Sequence, residues 1–545
     1  MGEVEPQRRP ARHRQREQQP AEPGGEVRAR IRVATGGRRC GRRPRRADML
    51  RSMRAHRRTI AALAALLCAV CGGSEPEPTR PVGRPVNVLI VTLDTTRADR
   101  LGPYGFTAAK TPRLDALAAE GVVFADAFTA IPSTFPSHST LFTGKYPQSH
   151  GVHDNAVYFL GPEQETLAEL LQAQGYATGA FVSAFVLDSQ FGLDQGFAAY
   201  DDAVDQPLMK FDVSRLPKNL PDDRRKWEAT IATAYQRRGD ATTKLAIDWL
   251  GRLGSQPFFL WVHYFDAHQP YQPPPPHDRT FDPAYRGPMD GDQRKFWQAL
   301  AKNQVSAADK AHMEALYHGE IAWQDECLGR LFDAIRAVGR WDETLVVVVA
   351  DHGEGLGEHT QLFEHNSELY DEAVRVPLLV RRPDAGARGE KVAGIVRTVD
   401  VLPTVLDWLA LTPSAEVQGS SLLPFTSGDP AVRAAATPPG EALLEALRER
   451  QVNPVERALV ALRSDRFKVI VALDRAGEPV KTELYDVVDD PGEKRDLAAQ
   501  LPQQAERLRE RLLQQLHALP VPGTVHAREL GELDNEALRA LGYAR

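Results

Sequence analysis

Cysteine is scarce: there are four in 545 residues, and Cys40, Cys68 and Cys71 all fall near the start. Cys327 is left alone in the rest of the chain, which excludes an internal disulfide framework. It sits in the helical pattern Ala322 to Leu331, where buried packing is the expected role. No apolar run reaches the roughly twenty residues that a membrane-spanning helix needs. Residues 1–58 contain no lysine and no aromatic residue, but eighteen Arg against six acidic residues. Such a stretch has basic charge without periodicity or stacking groups, and no nucleic-acid partner is expected from it. With a net charge of -6 overall, the remainder is acidic. A charged fraction of 26% and a hydrophobic fraction of 42% are ordinary for a soluble globular protein.

The Arg-rich stretch, residues 1–52, reads as a disordered extension, with Met49 or Met53 as candidate true starts. Residues 53–71 read as a secretory signal: a basic Met53 to Arg58, then a short apolar run from Thr59 to Val70. Cys71, followed by Gly72-Gly73-Ser74, resembles a bacterial lipoprotein junction, with Val70 where Gly or Ala is usual. That implies an exported protein, periplasmic or outer-membrane-associated in a bacterium, with membrane attachment through a lipidated Cys71. Residues 72–85 are a Pro-rich linker, 86–430 a catalytic domain, 431–520 a C-terminal sub-domain and 521–545 a tail.

The run from Val86 to Asp94 is apolar without alternation, as in the centre of a parallel sheet. Similar runs occur at 177–183, 257–265 and 345–350. Helical patterns occupy 111–121, 167–175, 241–253 and 312–338, and residues 269–290 form a long Pro-rich excursion. This alternation predicts an α/β fold, a doubly wound, mostly parallel central sheet flanked by helices. Short strands at 458–462, 467–471 and 483–486 and a helix at 503–519 predict a small C-terminal α+β unit. Strand ends are where such sheets place their ligands. Four clusters stand there: Asp94, the stretch Ser133 to Lys145, Asp266-Ala267-His268, and Asp351-His352-Gly353-Glu354.

The stretch Thr134-Phe135-Pro136-Ser137-His138, closing on Thr143-Gly144-Lys145, resembles the nucleophile signature of the sulfatase-like branch of the alkaline phosphatase superfamily. Asp351-His352-Gly353 after a valine run, and Glu483 to Leu497 near the end, resemble the same branch, so the likeness covers 86–520. In that branch the leading residue is Cys or Ser, matured to formylglycine; here it is Thr134, and the following Arg is replaced by His138. Both changes are nearer to the nucleotide pyrophosphatase/phosphodiesterases, which use an unmodified Thr.

The resemblance implies Asp94, Asp351, His352 and the Thr134 oxygen as ligands of a divalent metal. A mixed nitrogen and oxygen set favours zinc or manganese over calcium. A second ion would draw on Asp266, His268 and His365; with one ion, His268 and Asn366 would contact substrate instead. Asn366 stands where sulfatases carry a Lys. His138 and Lys145 are expected beside the nucleophile and the anionic group, and Asn155 as a donor to it. His150, His153, His263 and His359 are weaker candidates, most of them expected to be structural or solvent-facing.

The expected activity is metal-dependent hydrolysis of phosphate mono- or diesters, or related esters, through a covalent Thr134 intermediate. The substrate would be an anionic ester: a phosphorylated or sulfated small molecule, glycan or lipid. Alternatives are a sulfuric ester hydrolase and a phosphotransferase acting on a glycan or lipid alcohol. A catalytically dead binding protein would have lost Asp351 or His352, and neither is lost.

Overall fold

The structure, a computed structural model, describes residues 86–155, 158–204, 206–207, 235–384, 386–447, 458–474 and 476–527. All of these belong to the compact unit Pro81–Arg545. The extension, signal and linker expected before residue 86, with Cys40, Cys68 and Cys71, lie outside the described residues, as does most of the 521–545 tail.

Eight strands make the central sheet: β1 Asn87–Leu93, β2 Val122–Phe128, β3 Ala177–Phe181, β4 Ala199–Asp201, β5 Phe258–Tyr264, β6 Thr344–Ala350, β7 Arg375–Arg381 and β8 Glu390–Arg397. Their spatial order is β8-β2-β7-β6-β1-β5-β3-β4. All run parallel except β7, which is antiparallel to β2 and β6. Every residue of β1, β5 and β6 is buried, which is why their sequences carry unbroken apolar runs. In register, Leu93 of β1 lies between Tyr264 of β5 and Ala350 of β6. Asp94, Phe265 and Asp351 therefore leave the sheet at one edge.

β7 and β8 are among the strands that the sequence reading did not place, and the register supplies the reasons. β7 contains Pro377, which removes a ladder donor. The structure accommodates it with a register shift between Val376 and Leu378. β8 is an edge strand, largely exposed over its first half, interrupted at Gly394 (φ 98°) by a shift between Val392 and Ile395.

Helices α1 Pro112–Glu120, α3 Leu167–Ala173 and α4 Gly239–Leu250 lie within two residues of the sequence reading at their starts, and α2 Thr134–Thr143 spans the stretch read as the nucleophile signature. The long helix α5 runs Ala307–Ala337, five residues earlier than the apolar pattern suggests. A reciprocal cap between Ser306 and Asp309 starts it. Cys327 on α5 is buried and in no disulfide among the described residues, and burial pushes its thiol well up.

A second, four-stranded antiparallel sheet follows: β9 Glu441–Leu447, β10 Ala458–Ser464, β11 Phe467–Leu473 and β12 Pro479–Asp486, with α6 Pro502–Ala518. β9 reads Glu-Ala-Leu-Leu-Glu-Ala-Leu, a helix former by propensity that pairing with β10 overrides. One face packs with Phe128 and Ile395 of the large sheet, the other with Ala130, Tyr146 and α6. The Glu445 N–H donates to the Ala130 carbonyl at 2.8 Å, tying this sheet to the segment leading into α2. No helix among the described residues is long and apolar enough to cross a membrane.

Candidate active site

Thr134 is the first residue of α2, so its hydroxyl stands at the positive end of the helix dipole. The helix stops at Gly144, whose φ of 65° is the left-handed cap that glycine favours. The Thr134 Oγ1 lies 3.3 Å from His352 Nε2. His352 follows β6, and its Nδ1 is 3.0 Å from the Gly353 carbonyl. A carbonyl only accepts, so Nδ1 carries the ring proton and Nε2 presents a lone pair. Facing that lone pair are Asp94 Oδ1 at 3.8 Å and Asp351 Oδ2 at 3.5 Å. Neither oxygen has a hydrogen-bond partner among the described residues, and both carboxylates are buried.

Burial pushes Asp94 up to about 7 and raises Asp351, each worsened by a neighbouring carboxylate. Two orphaned carboxylate oxygens and an imidazole lone pair around a hydroxyl fit a divalent cation. The ligand atoms of Asp94, Asp351 and His352 all lie within 4.8 Å of one another. The other Asp351 oxygen, Oδ1, accepts from the amides of His352 (2.8 Å) and Thr95 (3.3 Å), which fixes the carboxylate's orientation.

Asn155 is buried, and its Oδ1 accepts from the Phe135 amide at 2.8 Å. Its Nδ2 has no hydrogen-bond partner among the described residues, which leaves a donor beside the helix N-terminus. His365 packs on His352 with ring centroids 4.3 Å apart, and His268 meets His365 edge-on at 5.1 Å. These rings form one wall, and burial lowers His365 to about 3 and His268 well below the usual imidazole range. Asn366 adjoins it in a left-handed conformation (φ 84°), its Oδ1 buried without a hydrogen-bond partner among the described residues.

Three expected contacts are not formed. His138 does not reach the Thr134 hydroxyl: its Nδ1 donates to the Thr134 main-chain carbonyl at 2.7 Å, and its Nε2 is 2.9 Å from Thr92 Oγ1. One helical turn points a side chain back along the helix toward the carbonyl, not across to Oγ1. Lys145 lies beyond the other end of α2, about 15 Å from Thr134 by the helical rise. It pairs there with Glu416 (2.5 Å) and Gln164 (3.0 Å). Asp266 accepts from the Gly239 amide at 2.9 Å, at the start of α4, and does not join the cluster.

Two residues take a larger part in the site than the sequence reading assigned them. His263, one of the four weaker candidates, is buried within β5 with Nε2 3.2 Å from Asp94 Oδ2. Its position one residue short of the strand end, opposite Thr92, is the signal that could have found it. Glu354 is buried between Tyr271 OH (3.0 Å) and His365 Nδ1 (3.2 Å), and burial pushes it up to about 8. His150 is buried on Thr140, His153 pairs with Glu445 and His359 with Glu372, all structural roles.

A mostly parallel sheet presenting a carboxylate and imidazole cage to a hydroxyl at a helix N-terminus defines a metallohydrolase of the alkaline phosphatase type. The Sulfatase family profile matches residues 86–411, and the chain belongs to that family. The N-sulphoglucosamine sulphohydrolase C-terminal profile matches residues 357–521. The chain is similar to the multifunctional alkaline phosphatase superfamily protein PehA of Trinickia caryophylli, 28% identical over 62% of this chain and 76% of that protein. It is also similar to an N-acetylglucosamine-6-O-sulfatase of Bacteroides thetaiotaomicron, 24% identical over 80% of this chain and 86% of that protein. Among solved structures, the phosphonate monoester hydrolase of Agrobacterium radiobacter superposes with a TM-score of 0.62 at 27% identity, covering 80% of this chain and 96% of that one. The protein is accordingly an ester hydrolase of a metal-dependent family.

Proposed function

We propose that the protein hydrolyses phosphate or phosphonate esters, with unmodified Thr134 as nucleophile. The observation that carries this reading is the Thr134 hydroxyl at a helix N-terminus, 3.3 Å from the His352 lone pair in the carboxylate cage. Asp94, Asp351, His352 and Thr134 would hold a divalent ion, zinc or manganese in preference to calcium because of the imidazole. Such an ion supplies a lowered hydroxyl pKa and neutralises charge on the substrate's non-bridging oxygens. The positive end of the α2 dipole and the Asn155 amide would face the same oxygens and orient the ester for in-line attack. His268, His365 and Asn366 line the substrate side. Phosphorus would pass to Thr134, the alcohol would leave, and water would then release phosphate from the threonine ester.

Formylglycine has two hydroxyls, and the second expels sulfate by collapse of the hemiacetal. Threonine has one and must await external water, a step that phosphorus in a clamped site accepts. Similarity to a phosphonate monoester hydrolase and to PehA supports the phosphorus reading. Sulfate ester hydrolysis is the second reading, supported by similarity to the N-acetylglucosamine-6-O-sulfatase.

A panel of p-nitrophenyl phosphate, phosphate diester, phosphonate and sulfate separates the two. Thr134→Ala should lower turnover by several orders of magnitude, Thr134→Ser should keep part of it, and a quenched reaction should show a phosphoryl adduct on the Thr134 peptide. A faster rate on the sulfate than on every phosphorus ester, or full activity in Thr134→Ala, would reject the proposal.

We also infer export with attachment through Cys71, on the basic patch and apolar run before it. Expressed in a bacterium from Met53, the protein should fractionate with membranes, and Cys71→Ser should release it. A cytosolic product retaining residues 53–80 would refute export.

A further inference from the structure

Beneath the carboxylate cage lie two fully buried histidines, His138 and His263, with ring centroids 5.1 Å apart. Together with Asp351 they place three ligand atoms within 4.8 Å of one another, which by distance alone would suit a second cation. The hydrogen bonds give a different answer, because several partners can act in one direction only. The Ser183 amide, which can only donate, lies 3.3 Å from His263 Nδ1. Nδ1 is therefore the lone-pair nitrogen, and the neutral ring's single proton sits on Nε2. That Nε2–H points at Asp94 Oδ2, 3.2 Å away.

Turning the ring over would set carbon against both the Ser183 amide and Asp94, leaving two buried polar groups unmatched, so the network fixes the ring's orientation. His138 is committed in the same way. The Trp261 indole N–H donates to Thr92 Oγ1 at 2.9 Å, leaving the Thr92 proton for His138 Nε2 at 2.9 Å. His138 Nδ1–H then donates to the Thr134 carbonyl at 2.7 Å. A cation held by His138 Nδ1, which lies 3.9 Å from Asp351 Oδ2, and His263 Nε2 would displace both ring protons and strip the Thr134 carbonyl and Asp94 of their donors.

We propose that His263 is a positioning residue: by donating its Nε2 proton to Asp94 Oδ2 it turns Asp94 Oδ1 toward His352 and Thr134, and it binds no ion itself. This rests on the reading of Asp94 as a cation ligand. A hydrogen-bonded outer partner of this kind holds a metal-binding carboxylate at the cage geometry and typically accounts for about 10–100-fold in metal affinity. His138 supports the other half of the site, anchoring the main chain of Thr134.

The test uses the full chain, stripped of metal and titrated with Zn2+ against a chelator of known affinity. His263→Asn keeps an acceptor for the Ser183 amide but ends short of Asp94, and its Zn2+ affinity should fall about 10–100-fold. His263→Gln carries an amide donor further out and should recover most of that loss. In histidine-15N-labelled wild type, the signal that disappears in His263→Gln should belong to a ring protonated at Nε2 with Nδ1 bare. That spectrum decides the matter even if the Asn variant does not fold. A ring protonated at Nδ1, equal weakness of the Gln and Asn variants, or wild type binding two ions and His263→Gln one would each overturn the proposal. Wild type that takes up neither Zn2+ nor Mn2+ would instead reject the cation reading on which it rests.

Discussion

Asp94, Asp351 and Glu354 are buried carboxyl groups within one site, and burial raises all three. The buried imidazoles around them are pushed the opposite way, His138 to about 3 and His263 to about 4, so they add no positive charge near neutrality. An Asp94 that titrates near 7 holds a proton at pH 6, and a cation must displace it. Zn2+ affinity of the stripped protein should therefore rise by up to about tenfold per pH unit below pH 7 and flatten above it. Calorimetry in buffers of different ionisation enthalpy should detect proton release at pH 6 that fades by pH 8. Affinity independent of pH across that range would show that Asp94 does not compete with protons at the site.

At the scale of elements, the seam between the two sheets reaches the site through main-chain bonds. Lys468 on β11 is fully buried, 2.8 Å from Asp371 and 2.9 Å from Glu493. Two residues beyond Asp371, the Ala373 carbonyl accepts from the Gly353 amide at 2.8 Å, and the Glu372 carbonyl accepts from the Glu354 amide at 3.1 Å. The loop carrying His352 is thus held by the segment that Lys468 anchors. Burial opposes charging of both partners, but their mutual attraction wins: Lys468 is raised above 10.5 and Asp371 lowered below 3.8. A raised amine stabilises below its unfolded value and stops doing so as pH rises through its folded one. A depressed carboxyl stabilises above its unfolded value and stops as pH falls through its folded one. The pair therefore contributes throughout the range between, and Lys468→Ala, which leaves Glu493 buried without its amine and Asp371 with the longer Arg463 contact at 3.6 Å, should cost about 3–5 kcal/mol at pH 7 in denaturant unfolding. A loss under about 1 kcal/mol would mean that water reaches the seam.

For the whole molecule, the smaller sheet and the central sheet share apolar contacts at Phe128, Ala130, Tyr146, Ile395 and Val399. A chain ended before β9, at residue 440, would expose these residues and remove the Glu445 bond to Ala130, four residues ahead of Thr134. It should be insoluble or inactive, with loss of near-ultraviolet circular dichroism. A soluble truncated protein with wild-type turnover would show that the first sheet forms the site unaided.

The parallel strands and the residues at their ends were legible in the sequence because burial on both faces demands long apolar runs, and a polar residue closing such a run stands out. Asp94, Asp351 and His352 were readable for that reason, and Thr134 through the likeness of its stretch to the sulfatase-like nucleophile signature. β7, β8 and β9 were not: Pro377, Gly394 and a helix-forming composition conceal strands that only neighbouring ladders stabilise. The directions of His138, His263 and Lys145 were likewise settled by tertiary contacts. Sequence spacing put His138 one turn from Thr134 and Lys145 just past a Thr-Gly, but partners far along the chain, Thr92 and Glu416, decide where their nitrogens point. The chemistry of single groups is written in the sequence, whereas hydrogen-bond direction and carboxylate orientation depend on atoms that folding brings together from distant segments.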